Sequence, residues 1–379
     1  MKDRFGVLDG MRGIAVLLVL WYHLWEISWQ PAPASWLQWI PETGFIGVPL
    51  FFFLSGFVIT FPFVRARLAG EPQPTWGHFA WRRFIKIMPS YVLSIIIAYA
   101  IGYAAVNHAG APVWKEVLTH LLFIHTWWYA TYGSINGVLW TLAVEVEFYL
   151  VFPLVWWCFA RRPILTTAGM ILIAMLWRVH AAQCCFHYEM PLMVENLPGY
   201  LDIFAAGMFS AWIFARFGHR LRAPGVRLTM PLLASAGAVL FAGLMIWMFD
   251  HRYADEWEVS LQIYARPLFG LAFAAIAVGM LASPPLWQTL LANAPLRFLA
   301  FISYNLYLYH QMVARLMVTY DLPPHGATPH AEPVWMLHYT ILAFVITIAQ
   351  AAAVTYWFER PLLRLPQPRL KLSALGHSS

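Results

Sequence analysis

Residues 11–28 read MRGIAVLLVLWYHLWEIS, a run that is apolar enough to cross a bilayer yet carries Arg12 near one end and His23 near the other. A spanning helix needs about 20 mostly apolar residues and rises ~1.5 Å per residue. Arg12 and His23 stand eleven positions apart. At ~100° per residue they point within about 20° of each other, roughly 16 Å apart along the axis. An ionisable group within a span costs at least ~2.5–3.5 kcal/mol on insertion scales and is a functional candidate by default. One stripe therefore joins a fixed cation to a proton-transfer group. On this pair alone, a structural histidine with a headgroup-binding arginine remains an open alternative.

Nine further segments have the same character: 44–64, 87–106, 140–160, 164–180, 199–217, 230–249, 260–281, 297–318 and 335–358. Together they predict an all-α integral membrane protein with about ten transmembrane helices. Composition agrees, since 61% of the 379 residues are hydrophobic and only 11% are charged. Soluble domains carry about 25% charged residues. An ordinary soluble enzyme, a disordered protein and a nucleic-acid binder are thereby excluded. The net charge of +6 implies no nucleic acid, because the basic residues are scattered between apolar runs. Cys158, Cys184 and Cys185 do not make a disulfide framework.

Residues 116–131 form one more apolar stretch, short and interrupted by His120, His125 and Thr126. The basic residues decide how it is read. With a cytoplasmic N-terminus and ten alternating helices, 18 of the 24 Lys and Arg fall in cytoplasmic segments. Only Lys115, Arg178 and Arg252 fall outside, with Arg12, Arg266 and Arg315 in or at the edges of spans. This is a strong positive-inside asymmetry. A spanning 116–131 would move Arg161, Arg162 and the basic residues of 216–227 outside, so the stretch is expected to be re-entrant or interfacial. Irregular backbone at membrane depth needs a covering of protein or a wet cavity. A cavity on the outer side is therefore expected there. Residues 1–361 are read as a single membrane domain and 362–379 as a short cytoplasmic tail, with both termini cytoplasmic. The first segment lacks a small-residue cleavage site and is read as a retained helix.

Glu145 is about five residues from the outer end of its span, as His23 is in its own. A carboxylate beside an imidazole makes a base and an orienter. Glu147 faces about 200° away on an ideal helix and needs another partner. His310 lies in the outer half of the ninth span. Arg266 and Arg315 are expected to snorkel outward, and Asp202 to complement the start of its helix. No close-spaced ligand pair supports a metal site. Ser55 is the nearest candidate for a covalent route, although Ser-Gly in a span is commonly a packing contact.

At these same residues the chain resembles the acyltransferase-3 family of polytopic membrane O-acyltransferases. LDGMRGIAVLLVLWYH resembles that family's first helix, GFIGVPLFFFLSGFVIT its second, and WRRFIKIMPSY the basic entry to its third. LWTLAVEVEFYLVFP, ISYNLYLYH and FERP resemble its later motifs, in family order from residue 8 to 361. The chain departs from the family at Pro49, where Asp is usual, and at Val146, where a second Glu is common. The resemblance implies transfer of an acyl group, usually acetyl, from cytoplasmic acyl-CoA to a carbohydrate hydroxyl at the outer face of a bacterial inner membrane. No appended extracellular domain is evident, so transfer is expected within the membrane unit. His23 and Glu145 become the candidate catalytic residues. Arg12, Arg82, Arg83, Lys86, Tyr149 and His310 become candidates for substrate binding, the basic ones for the donor's phosphates. Trp127, Trp128 and Tyr129 are candidates for stacking a sugar. No tightly bound cofactor is implied beyond acyl-CoA as donor. The acceptor class covers lipopolysaccharide, capsule, exopolysaccharide and periplasmic glucan.

Two other functions fit the charges. A secondary transporter or flippase for a lipid-linked glycan would use His23 and Glu145 as a proton relay, but the chain shows no paired halves. A structural or sensory protein would have no use for the stripe. The topology has a direct check: in a background lacking the three native cysteines, a cysteine at position 161 or 162 should be labelled from the cytoplasmic side only.

Overall fold

The computed structural model describes residues 5–108, 110–185, 190–254 and 260–365. Lys2, Arg4, Arg369 and Lys371 of the charge argument, and residues 366–379 of the expected tail, lie outside the described residues. Regular structure among the described residues is entirely helical. Ten long helices carry the fold: α1 (Gly6–Ser28), α2 (Gly47–Ala69), α3 (Trp76–Ala100), α4 (Trp140–Phe159), α5 (Pro163–Cys184), α6 (Leu197–Leu221), α7 (Met230–His251), α8 (Arg266–Ala282), α9 (Ala294–Thr319) and α10 (Pro333–Val354).

Among the described residues, nine helices are long and apolar enough to cross a membrane. The expected tenth, α9, is long enough at 26 residues but too polar, with Arg297, Asn305, His310, Gln311 and Arg315. Its polarity follows from its position, since it packs between α1 and α10. The third helix also differs from expectation. It begins at Trp76, where the Thr75 side chain accepts from the His78 amide, rather than at 87. Thr is a favoured N-cap, so the basic motif lies inside the helix.

The short stretch does not cross. Its helix, Val113–Leu121, has nine residues, or about 13.5 Å of rise. Irregular backbone follows, tied to the bundle by side chains. Asn136 Nδ2 donates to the Leu308 carbonyl of α9 (2.9 Å), and the Tyr91 hydroxyl donates to the His120 carbonyl (3.1 Å). His120 and His125 are fully buried within it, with stacked rings 3.8 Å apart. Burial pushes His120 down to about 4.

Contacts between helix ends fix the alternation. Phe5 packs edge-on against Phe61 of α2 and Phe214 of α6. Trp156 of α4 donates to Gln73, just before α3 (3.0 Å), and Arg222 reaches the Leu281 carbonyl of α8 (3.3 Å). Those termini share one end of the bundle, here the basic end. At the opposite end Thr340 of α10 donates to Ser28 of α1 (3.1 Å), and Arg252 pairs with Glu42 (2.8 Å).

Within lipid, helix association relies on close packing rather than on exclusion of water. The α2–α6 contact shows this. Gly207 lies against the backbone of Phe53, and Gly56 against that of Phe204; a Cβ at either position would overlap a carbonyl oxygen. Overpacking costs ~1–3 kcal/mol, occasionally more. Gly207→Leu should therefore lower the melting temperature and folded yield in detergent. Gly169→Leu, at an α5 position with open space beside it, should leave both unchanged.

Candidate functional site

Two cavities enter the bundle from opposite ends and abut. The first, toward the basic end, is lined by Arg12, Ser55, Arg83, Lys86, Glu145 and Tyr149, with Ser303 and Tyr304 from α9. The second is lined by Tyr22, His23, Glu195, Gln262, Arg266 and Gln311. Val48 and Tyr307 line both.

The first cavity gathers most of the expected donor residues. Lys86 pairs with Glu359 and lies over the Tyr304 ring (5.1 Å). Glu359 ends a π-helical turn, Thr355–Glu359, and Asn305 donates to both its carboxylate and the Thr355 hydroxyl. Such turns re-aim side chains and recur at functional sites. Arg83 lies over the rings of Tyr149 (5.1 Å) and Phe79 (5.8 Å). Arg12 forms no hydrogen bond or ion pair among the described residues and borders the cavity. Arg82, one residue from Arg83 and so ~100° around the helix, is exposed and lines neither cavity.

Glu145 is not placed against His23. Its Oε1 accepts from both Ser55 and Tyr149, and no hydrogen bond joins it to His23 among the described residues. Its carboxylate lies with Ser55 and Arg12 in the first cavity, whereas His23 lines the second. Ser55 donates to that same carboxylate, and no histidine is hydrogen-bonded to it among the described residues. Glu147 finds its partner in Trp127, whose Nε1 donates to it (2.6 Å), while its other oxygen accepts from the Leu197 amide (3.2 Å). Trp127, Trp128 and Tyr129 are exposed and line neither cavity.

His23 is instead hydrogen-bonded to His310, Nδ1 to Nε2, at 3.0 Å. The tautomers follow from the neighbours. Nδ1 of His310 lies 2.8 Å from the Tyr307 carbonyl and 3.1 Å from that of Leu306, so it carries the proton. Its Nε2 then has the lone pair. Nδ1 of His23 meets that lone pair and the Val19 carbonyl (3.0 Å), so it must be the donor. This assignment leaves Nε2 of His23 as a free lone pair, and His23 lines the second cavity. His310 is 1% exposed and held rigidly by its own helix.

The far wall of the second cavity holds a charge cluster. Arg178, expected in an outer loop, lies within α5, is fully buried and grips Asp202 in a bidentate pair (3.0 and 2.7 Å). Asp202, expected to complement the start of its helix, is instead its sixth residue, past the first turn, and serves this pair. Arg266 does not snorkel outward. It is 6% exposed, bonds the Gly199 carbonyl (3.3 Å) and lies over the Tyr200 ring (4.1 Å). A second π-helical turn, Leu261–Ala265, precedes it. Glu195 accepts from the Tyr132 hydroxyl. Burial pushes its carboxyl up to about 7, against the opposing pull of Tyr132 and Arg266. Sequence reading missed Glu195, Tyr307 and the inward Arg266. Glu195 stands in a short connection with no periodicity to place it, and Tyr307 reads as one aromatic among many.

Among the described residues there is no cluster of three or more side chains able to hold a metal ion. No solved structure matches the chain. It is 26% identical over 371 residues to YrhL of Bacillus subtilis (strain 168), covering 94% of this chain and 54% of that one. It is 24% identical over 382 residues to "O-acetyltransferase OatA" of Staphylococcus aureus (strain NCTC 8325 / PS 47), covering 94% and 56%. It is 23% identical over 328 residues to "Peptidoglycan O-acetyltransferase OatA" of Listeria monocytogenes, covering 82% and 49%. The chain thus spans about half the length of the curated relatives it matches. The family model described as an acyltransferase domain matches residues 5–356, and with the membrane-capable helices this places the chain in the acyltransferase-3 family.

Proposed function

We propose that the protein is a membrane O-acyltransferase that moves an acyl group, acetyl in the first instance, from an acyl-CoA entering at the basic end to a carbohydrate hydroxyl entering at the other. The observation that carries this reading is the junction of the two cavities at Val48 and Tyr307. A donor and an acceptor can meet there without either crossing the bundle. Relatives named as O-acetyltransferases support the reaction class, and one named for peptidoglycan supports a carbohydrate acceptor. The positive-inside asymmetry supports a cytoplasmic basic end, and hence an inner-membrane location with both termini cytoplasmic.

Arg12 and Arg83 bind donor phosphates, where guanidinium forks match phosphate oxygens. Lys86 is neutralised by Glu359 and shapes the entrance. Glu145, held by Ser55 and Tyr149, positions the wall along which the donor's thiol arm runs. His23 is the general base. Its Nε2 takes the acceptor hydroxyl proton as that oxygen attacks the thioester carbonyl carbon. Tyr307 stands where the carbonyl oxygen gathers charge. Collapse of the tetrahedral intermediate expels the thiolate, which takes the proton from His23. His310 receives the Nδ1–H of His23 throughout, fixing the ring and sharing the transient positive charge.

General acid–base catalysis contributes about 10²–10⁴-fold. His23→Ala should lower acetyl transfer from acetyl-CoA by about that factor at saturating substrates, with folded yield retained. A folded variant with wild-type turnover would overturn the assignment. His310→Ala should fall between wild type and His23→Ala, with donor affinity unchanged.

The donor site has its own check. A hydrogen bond to a charged group is worth ~1.5–3 kcal/mol, or about tenfold or more in affinity. Arg83→Gln should weaken acetyl-CoA binding by about that much in calorimetry on purified protein, and Arg82→Gln should not. Surface glycan that keeps its export but loses its acetate on deletion of the protein supports the enzyme over a transporter.

A further inference from the structure

The wall of the second cavity opposite His23 carries two charged side chains that the chemistry above leaves unused. Arg266 is 94% removed from solvent, yet its hydrogen bond among the described residues is one long contact to a carbonyl (3.3 Å). A guanidinium has five donors. Its neighbour Arg178 takes both carboxylate oxygens of Asp202, so that carboxylate does not complete the shell of Arg266. Glu195 spends Oε2 on Tyr132. No ion pair joins Glu195 to Arg266 among the described residues, although each feels the charge of the other. Both line the cavity that holds His23.

Burying an arginine without a full set of acceptors is costly, and the cost is recovered when a ligand supplies oxygens. A carboxylate that accepts and a guanidinium that donates, of opposite sign and facing one space, match adjacent hydroxyls, each of which donates and accepts. Gln262 and Gln311 line the same space with amides of both characters, and the Oε1 of Gln262 is buried without a partner. Trp140 and Tyr200, stacked on each other, complete the lining with aromatic surface. A neutral sugar keeps this pair balanced, whereas an anionic one would leave excess negative charge in a buried space beside Glu195.

We propose that Glu195 and Arg266 form the acceptor-recognition site, gripping adjacent hydroxyls of an uncharged sugar ring so that a further hydroxyl is presented to Nε2 of His23. Tyr132 is a positioning residue that fixes the Glu195 carboxylate. This rests on the acyltransferase reading and names its acceptor class.

The test uses the full chain in nanodiscs with acetyl-CoA. Thiol release is followed against rising cellobiose, maltose or glucuronate. The expected wild-type result is saturable acceleration by at least one neutral disaccharide and less by glucuronate. Glu195→Gln and Arg266→Gln should each raise the KM for that disaccharide about tenfold or more, with a smaller change in kcat and an unchanged KM for acetyl-CoA. Should Glu195→Gln fail to fold, Tyr132→Phe serves in its place: it should raise the sugar KM while kcat recovers at saturating sugar. An unchanged sugar KM in these variants overturns the proposal. Acceleration by glucuronate alone, or by none of the three sugars, overturns it too. Absence of thiol release from the wild type under every condition would instead overturn the acyltransferase reading itself.

Discussion

A charge taken into a low-dielectric interior must find an opposite charge, a set of hydrogen bonds or a wet cavity. The fold is organised by how its charges meet that requirement. Arg178 and Asp202 meet it with two parallel hydrogen bonds and a carbonyl besides. Lys86 and Glu359 meet it with Asn305 as a third member. The groups left over are not scattered. Arg12 and Arg83 face one cavity, and Arg266 and Glu195 face the other. The closed pairs hold helices together, and the open ones mark where ligands are expected.

The same requirement explains the departures from regular helix. Both π-helical turns lie at the approach to a cavity, one ending on Glu359 and one leading into Arg266. An extra residue in a turn rotates the following side chains by ~100° relative to the helix before it. That rotation turns a charge that would face lipid toward the interior. It also explains the polarity of α9. Its Asn305 serves Glu359, its Tyr304 and Tyr307 line the cavities, and its His310 orients His23. Such a helix is stable in a membrane only when neighbours cover it, as α1 and α10 do.

Much of this was legible in the sequence. Apolar run length located all ten long helices, and the spacing of Arg12 and His23 singled out two residues that each line a cavity. Neither the relative depth of two groups on different helices nor the azimuth between helices was legible. Glu145 was expected at the level of His23, but its carboxylate meets Ser55 in the cavity that Arg12 lines, and α9 brings His310 to His23 instead. Periodicity within one helix carries no information about which neighbour its face meets. The start of α3 was hidden because a run of charged residues within a helix lowers its apolarity without breaking it. Glu195 was hidden because it acts from a connection, where spacing predicts nothing.

The choice of partner for His23 has a physical logic of its own. An imidazole paired with a carboxylate would bring a second formal charge to the junction, and both would have to be desolvated whenever the donor fills the first cavity. Two neutral imidazoles carry no such penalty in the resting state: the N–H of His23 is met by Nε2 of His310 and the Val19 carbonyl, and that of His310 by the carbonyls of Tyr307 and Leu306. In the proposed reaction, positive charge then exists only while a proton is in transit. Keeping Glu145 on the donor side of Val48 and Tyr307 fits the same scheme. Its charge is satisfied by two hydroxyls and does not compete for the proton at His23. The separation of the two cavities is therefore an electrostatic arrangement as much as a steric one, with fixed charges on either side and a neutral, hydrogen-bonded pair beside the point where they meet.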